Sequence, residues 1–132
     1  MTSTIVSVNM EPSMLKAYSK NEAMLHINVT SQNDQVLWCE SEISVNSPLS
    51  LSFDSELARG KVRIGLLEPS QTVSKKINIY TRPNNFPDEY EVNLLFFIYD
   101  KDGAIFERIE QKVPIVCQDA QAENEEQQNA KK

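Results

Sequence analysis

The feature that most constrains this sequence is the segment at residues 90–100, which contains the longest uninterrupted apolar run in the chain, residues 94–99. With the two-residue period of a strand, one of its faces holds Tyr90, Val92, Leu94, Phe96 and Ile98. The opposite face also becomes apolar towards its end, with Leu95, Phe97 and Tyr99. A strand that is apolar on both faces is typical of the middle of a sheet. The other segments of the chain are therefore expected to pair with this strand and pack against it.

Short alternating segments separated by turn signals occur on both sides of this run. They predict strands at residues 4–10, 23–29, 36–45, 61–67, 72–79 and 105–117. Residues 100–103 end in Asp-Gly, which predicts a tight hairpin into the last strand. About seven or eight short strands with no long helix predict an all-β fold, a two-sheet antiparallel immunoglobulin-like β-sandwich.

Two of these segments carry a prediction about which side chains face inward. In residues 36–45, Leu37, Cys39, Ile43 and Val45 share a face, which leaves Trp38 on the opposite face unless a bulge shifts the register. In residues 61–67, simple alternation turns Val62, Ile64 and Leu66 inward.

Length and charge limit the domain organisation and the classes of partner. A chain of 132 residues is long enough for one core, here predicted to span residues 1–117. Residues 118–132 contain no large apolar side chain and are predicted to form a disordered acidic tail. A net charge of −6 argues against nucleic acid and anionic membranes as partners, since proteins that bind them are basic.

The first residues show no positive region followed by an apolar stretch, and no segment reaches the roughly 18 apolar residues of a membrane span. The expected location is therefore the cytoplasm. Cys39 and Cys117 both lie in apolar, strand-like segments, so two reduced, buried thiols are favoured over a disulfide bond.

Three stretches resemble immunoglobulin-like domains of the CARDB type or of the major-sperm-protein/PapD-like type. They are the entry to a mid-domain strand at residues 65–73, the approach to Tyr90 at residues 86–92, and the interval from Leu25 to Trp38. Tyr90 stands where such folds carry a tyrosine corner. Leu25 and Val92 take the places of the antibody cysteines, so the inter-sheet disulfide is absent. The resemblance implies an architecture, and a shared sandwich does not transmit a function.

The residues of catalysis and metal binding are sparse. His26 is the single histidine, which excludes a histidine-based triad and a two-histidine metal site. Asp100, Asp102 and Gly103 are similar to the start of a calcium loop, but Gln111 stands where the loop needs glutamate. We therefore predict no catalytic residue, no metal site and no cofactor, and we do not expect an enzyme.

Two sets of residues are candidates for binding another protein. Arg59, Lys61 and Arg63 alternate with apolar residues, so they predict a cationic row that could receive an acidic partner segment, with Lys75 and Lys76 on the next strand. A merely solvated strand edge that resists aggregation is the competing explanation.

Leu95 and Phe97 lie on the second apolar face of the central run. Either the chain's own loop at residues 83–87 covers them, or they contact a partner or a second copy in a homodimer. The sequence thus predicts a non-enzymatic protein-binding or structural module that uses a sheet face or edge. The alternative is an accessory carbohydrate-binding or adhesion-type domain.

Overall fold

The computed structural model describes residues 4–119, which form strands without a helix. The strands are β1 (Thr4–Glu11), β2 (Met14–Lys16), β3 (Asn21–Ser31), β4 (Leu37–Val45), β5 (Leu49–Ser50), β6 (Arg59–Leu67), β7 (Thr72–Thr81), β8 (Asp88–Tyr99) and β9 (Ile105–Gln118). No helix among these residues is long and apolar enough to cross a membrane.

The strands form two sheets. The four-stranded sheet has the order β1-β3-β7-β5, and the five-stranded sheet has the order β2-β9-β8-β4-β6. Every pairing is antiparallel except that of the short β2 with β9. The predicted central strand is β8, which lies between β9 and β4. The prediction of an all-β, immunoglobulin-like β-sandwich is therefore confirmed.

The core lies between the two sheets and is built from alternate residues of the long strands. Its fully buried side chains include Leu25, Ile27, Leu94, Phe96, Ile98 and Ile115. Each large apolar side chain removed from water stabilises the fold by roughly 1.5–3 kcal/mol. Cys39 and Cys117 are both buried and free, as the sequence predicted.

The predicted hairpin between β8 and β9 is confirmed. Gly103 has a φ of 81°, a conformation that glycine adopts without a steric penalty, and its N–H donates to the Asp100 carbonyl. The Asp100 carboxylate accepts hydrogen bonds from the backbone N–H groups of Asp102 and Ala104. Asp100 thus acts inside the turn, and every residue of the calcium-like motif has a place in the hairpin.

A bulge in β6 changes the inward face of that strand. Cys39 pairs with Gly65 while Glu40 pairs with Arg63, so β6 contains one extra residue at this point. Gly65 has a φ of 129°, and the residues after it are shifted in register. Leu67 is consequently buried, whereas Leu66 is 63% exposed. The prediction that Leu66 faces inward is wrong, because simple alternation does not anticipate the bulge.

The chain crosses to the other sheet between β6 and β7. Lys75 and Lys76 belong to β7 in the four-stranded sheet, so they do not extend the cationic row of β6. At the other end of the chain, β9 includes Gln118, the first residue of the predicted tail. The predicted tail from residue 120 onwards lies outside the described residues.

Candidate functional site on the outer face of the five-stranded sheet

The candidate site is the solvent side of the five-stranded sheet, which we call the outer face. Antiparallel pairing places directly opposite residues on the same side, so the register defines rows of side chains across β6, β4, β8 and β9. The first two rows are Leu66, Trp38, Tyr99 and Ile105, then Arg63, Glu40, Phe97 and Arg108. The next two are Lys61, Glu42, Leu95 and Glu110, then Arg59, Ser44, Asn93 and Lys112.

All five residues predicted from sequence for partner binding lie on this face. Arg59, Lys61 and Arg63 form a column along the β6 edge, while Leu95 and Phe97 lie on β8. Sequence alone predicts two separate features, a cationic row on one strand and an apolar face on another. Strand β4 pairs with both β6 and β8 and so joins the two sets into one surface.

An aromatic cluster occupies one end of the outer face. The rings of Trp38 and Tyr99 stack with centroids 4.5 Å apart and planes inclined by 23°. The ring of Phe97 lies 6.3 Å from that of Tyr99, and the Arg108 guanidinium carbon lies 5.9 Å from the Phe97 centroid. Aromatic pairs and cation–π contacts of this kind contribute roughly 0.5–1.5 kcal/mol each. The cluster is a fixed, partly exposed apolar platform.

Trp38, Tyr99 and Arg108 were not predicted as site residues. The outward orientation of Trp38 follows from the alternation with Leu37 and Cys39, which the structure confirms. Its stacking on Tyr99 depends on the pairing of β4 with β8, which no local pattern specifies.

Glu40 holds the tyrosine of this cluster in place. The Tyr99 hydroxyl donates to Oε1 of Glu40 over 2.9 Å. That hydrogen bond, burial and the nearby carboxylates raise the pKa of Tyr99 above its ordinary value. Tyr99 therefore stays a neutral hydrogen-bond donor at physiological pH.

The other end of the outer face is charged and contains a depression of about 500 Å³. Its lining includes Glu42, Arg59, Lys61, Asn93, Leu95 and Glu110. Nζ of Lys61 lies 4.0 Å from Oε1 of Glu42, and both side chains are largely exposed, so this ion pair is weak. The depression combines cations and carboxylates with a few apolar residues, a mixture suited to a polar extended segment.

The loop at residues 83–87 does not cover Leu95 and Phe97. Its buried Asn85 donates to the carbonyl of Lys16, and Phe86 packs edge-to-face on Tyr18. Leu95 lies seven residues along β8 from Asp88, roughly 23 Å at 3.3 Å per residue. Self-coverage by this loop is therefore wrong, and the apolar side of β8 stays half-exposed.

The same loop forms the tyrosine-corner contact that the sequence suggested. The Tyr90 hydroxyl donates to the carbonyl of Phe86 over 2.8 Å, at the start of β8. A hydrogen bond from this tyrosine to backbone a few residues upstream is a hallmark of immunoglobulin-like sandwiches.

The reactive groups elsewhere are isolated. His26 lies on the four-stranded sheet, with Nε2 3.4 Å from a Glu11 carboxylate oxygen. Burial, followed by the charge of Glu40, raises the pKa of the Cys39 thiol to about 12, and burial also raises the pKa of Cys117. Within residues 4–119, no group of three or more His, Cys, Asp or Glu side chains could hold a metal ion.

Comparison with known proteins supports the fold and no particular family. No family model matches the sequence, and no curated protein is similar to it. Solved structures are similar, among them E. coli alpha-2-macroglobulin in its native conformation, with a TM-score of 0.62 and 14% identity over 91% of this chain. The match spans only 7% of that much longer protein.

Two similar structures are of comparable size to this chain. A FixG-related protein from Vibrio parahaemolyticus has a TM-score of 0.52 and 13% identity, covering 89% of this chain and 99% of that one. AvmM, which catalyses macrocyclization in alchivemycin A biosynthesis, has a TM-score of 0.52 and 8% identity over 89% of this chain and 91% of its own. At such identities the similarity shows a shared β-sandwich and no shared activity.

Proposed function

We propose that this chain is a non-enzymatic binding module that recognises an extended, acidic segment of another protein across its outer face. The observation that carries the proposal is the arrangement of that face, where a partly exposed aromatic cluster stands beside a column of cations. Apolar surface of this kind is seldom left in water, and a cationic column selects partners of opposite charge. As part of this proposal, the chain acts in the cytoplasm and is related to CARDB or major-sperm-protein/PapD-like modules.

The roles of the residues follow from their positions. Trp38, Tyr99 and Phe97 would contribute contact area with little loss of side-chain freedom, because their rings already stack on one another. Arg59 and Arg63 have no ion pair within residues 4–119, so their charges are available to a partner's carboxylates. Contacts to these edge cations would mainly raise the association rate.

The test is affinity capture from native lysate with the full chain, followed by mass spectrometry. The double variant K61E/R63E reverses two charges of the column, and K75E/K76E makes the same change on exposed residues of the opposite sheet. We expect a specific protein to be captured by wild type and by K75E/K76E, and to be lost with K61E/R63E. Equal capture by all three would refute the role of the column.

A second variant pair examines the apolar part of the face. Leu66→Ser removes an apolar side chain that is 63% exposed, and Ile5→Ser removes one that is 50% exposed on the four-stranded sheet. Binding through the outer face predicts a weaker complex for Leu66→Ser and an unchanged one for Ile5→Ser. The reverse result would move the contact to the other sheet.

The accessory carbohydrate-binding alternative rests on the near-parallel rings of Trp38 and Tyr99, since sugar rings stack on exposed aromatic side chains. A glycan array with wild type and Trp38→Ala separates the two functions. Glycan binding that Trp38→Ala abolishes, with no protein captured, would favour this alternative.

A further inference from the structure

The five-stranded sheet has two edges, and they differ in a way that suggests a partner for one of them. At the β9 edge, the short β2 pairs only with Val116, Cys117 and Gln118. Along residues 105–113, no described strand pairs with the edge of β9 that faces away from β8. An unpaired strand edge presents backbone N–H and C=O groups that another strand can use.

We propose that this edge pairs with the same edge of a second copy, so that two five-stranded sheets form one continuous sheet. The pairing is antiparallel, and its two-fold axis passes between Ile109 of one copy and Ile109 of the other. This arrangement is isologous: each contact occurs twice, once on each side of the axis.

Charge complementarity favours this register. Residues i and 218 − i face each other, so Arg108 lies opposite Glu110 of the second copy, and Glu110 lies opposite its Arg108. Both side chains belong to the outer face, where opposite charges directly across a strand pair are stabilising. The two ion pairs are equivalent by symmetry.

Neighbouring registers are less favourable. An axis through Arg108 sets that residue against itself, and an axis through Glu110 sets Glu110 against itself and Arg108 against Lys112. An axis through Gln111 also pairs opposite charges, Glu110 with Lys112. It extends the pairing into the residues that β2 already occupies, and it places Pro114, which has no backbone N–H, opposite Arg108. The axis through Ile109 keeps the contact within residues 106–112, between the bulge at Phe106 and the segment that pairs with β2.

The remaining pairs in this register agree with the burial of the edge. Phe106, 42% exposed, lies opposite the aliphatic stem of Lys112 of the second copy, and the bulge that begins at Phe106 ends the regular pairing there. Glu107 lies opposite Gln111. Oε1 of Glu107 is buried with no hydrogen-bond partner among the described residues. The side-chain amide of Gln111 from the second copy brings an N–H donor to this carboxylate.

The β6 edge of the same sheet shows the opposite design. Arg59, Lys61 and Arg63 follow one another on its outer side, so a symmetric antiparallel pairing about Lys61 would bring cation against cation. Like charges directly opposite destabilise a strand pair. The β6 edge therefore opposes self-association, while the β9 edge is complementary to itself. The dimer leaves the cationic column free, so this inference does not depend on the proposed function.

The test is a charge swap followed by sedimentation equilibrium of the full chain. Arg108→Glu alone and Glu110→Arg alone each place like charges across both symmetric contacts, and each is expected to weaken dimerisation about tenfold or more. The double variant R108E/E110R exchanges the two signs and is expected to restore the wild-type dissociation constant. Loss of the Arg108 contact with Phe97 cannot produce this recovery, because the double variant lacks that contact too.

A covalent test locates the axis. Ile109→Cys brings two sulfur atoms together across the two-fold axis and is expected to give a disulfide-linked dimer, whereas Lys61→Cys at the β6 edge is expected to stay monomeric under the same oxidation. Cys39 and Cys117 are buried and do not compete. The inference is overturned by a wild type that remains monomeric at about 1 mM. It is equally overturned by a dimer whose affinity the single reversals leave unchanged.

Discussion

The outer surfaces of the two sheets are both built from regular strands, but they expose different kinds of side chain to water. On the four-stranded sheet, side chains on neighbouring strands form hydrogen bonds with each other. The hydroxyl oxygens of Thr30 and Thr72 lie 2.7 Å apart, and the Ser74 hydroxyl donates to Oδ1 of Asn28 over 2.6 Å. On the five-stranded sheet, the corresponding positions on β4 and β8 hold Trp38, Tyr99, Phe97 and Leu95.

This difference separates structural requirements from functional ones. A two-sheet sandwich needs one apolar face per sheet, and the outer side of the four-stranded sheet is mainly polar, although Ile5 is 50% exposed there and Phe53 packs on Tyr80. Aromatic residues on the outer side of β8 contribute less to the core than their size would allow, because part of their surface stays in water. Binding is the explanation that we propose for them, and the experiments below measure how far the two faces differ.

The largest expected effect compares neighbouring phenylalanines on opposite sides of β8. Phe96→Ala removes a fully buried ring and should lower the free energy of unfolding by about 3–5 kcal/mol. Phe97→Ala removes a partly buried ring that packs near Tyr99 and Arg108, and should cost about 1 kcal/mol. Urea unfolding of both variants measures the difference. Equal losses would mean that the outer side of β8 is as essential to folding as the core.

The next effect concerns pH and the inner side of β4. Burial, then the charge of Glu40, raises the pKa of Cys39 from 9.0 to about 12. Between these two values the folded state keeps the Cys39 thiol proton, whereas the unfolded chain loses it. The contribution of this thiol to stability is therefore fully present below about pH 9 and falls as the pH rises towards 12. The slope from this group is at most about 1.4 kcal/mol per pH unit.

Unfolding curves recorded on both sides of pH 9 measure this slope. Cys39→Ala should decline less steeply than wild type, although Cys117, whose pKa burial also raises, contributes in the same direction. Identical slopes for the two proteins would contradict a buried, protonated thiol at position 39.

A smaller effect compares single hydrogen bonds on the two outer surfaces. Tyr99→Phe removes the bond to Glu40, and Ser74→Ala removes the bond to Asn28 on the other sheet. Each should lower the midpoint of thermal or urea unfolding slightly, because one hydrogen bond is lost. Similar losses would place the difference between the surfaces in their apolar area. A loss for Ser74→Ala alone would show that the aromatic cluster does not need its hydroxyl.

The smallest effect is expected at the cationic column. Lys61→Met breaks the ion pair with Glu42, whose partners are 4.0 Å apart and largely exposed, so the free energy of unfolding should change by less than about 0.5 kcal/mol. Urea unfolding of this variant checks the value. A loss well above 1 kcal/mol would assign the column a structural role, and the explanation as a solvated edge would then have to be revised.

Much of this architecture could be predicted from local pattern. The alternation in residues 90–98 predicts the buried side of β8, and the Asp-Gly signal predicts the β8–β9 hairpin; both agree with the structure. These features are readable because a strand has a fixed period of two and a tight turn needs particular backbone dihedrals. The prediction for Leu66 failed because one extra residue at Gly65 reverses the alternation beyond it.

The candidate site depended on contacts between distant segments. Alternation alone indicates that Arg59, Lys61, Arg63, Leu95 and Phe97 point away from the core. That they share one surface, with Trp38 and Tyr99 between them, follows from β4 pairing with both β6 and β8. The same tertiary choice assigns Lys75 and Lys76 to the other sheet, and it leaves the edge of residues 105–113 opposite β8 without a partner strand among the described residues. Strand neighbours are selected by the packing of the whole core, and no short stretch of sequence contains that information.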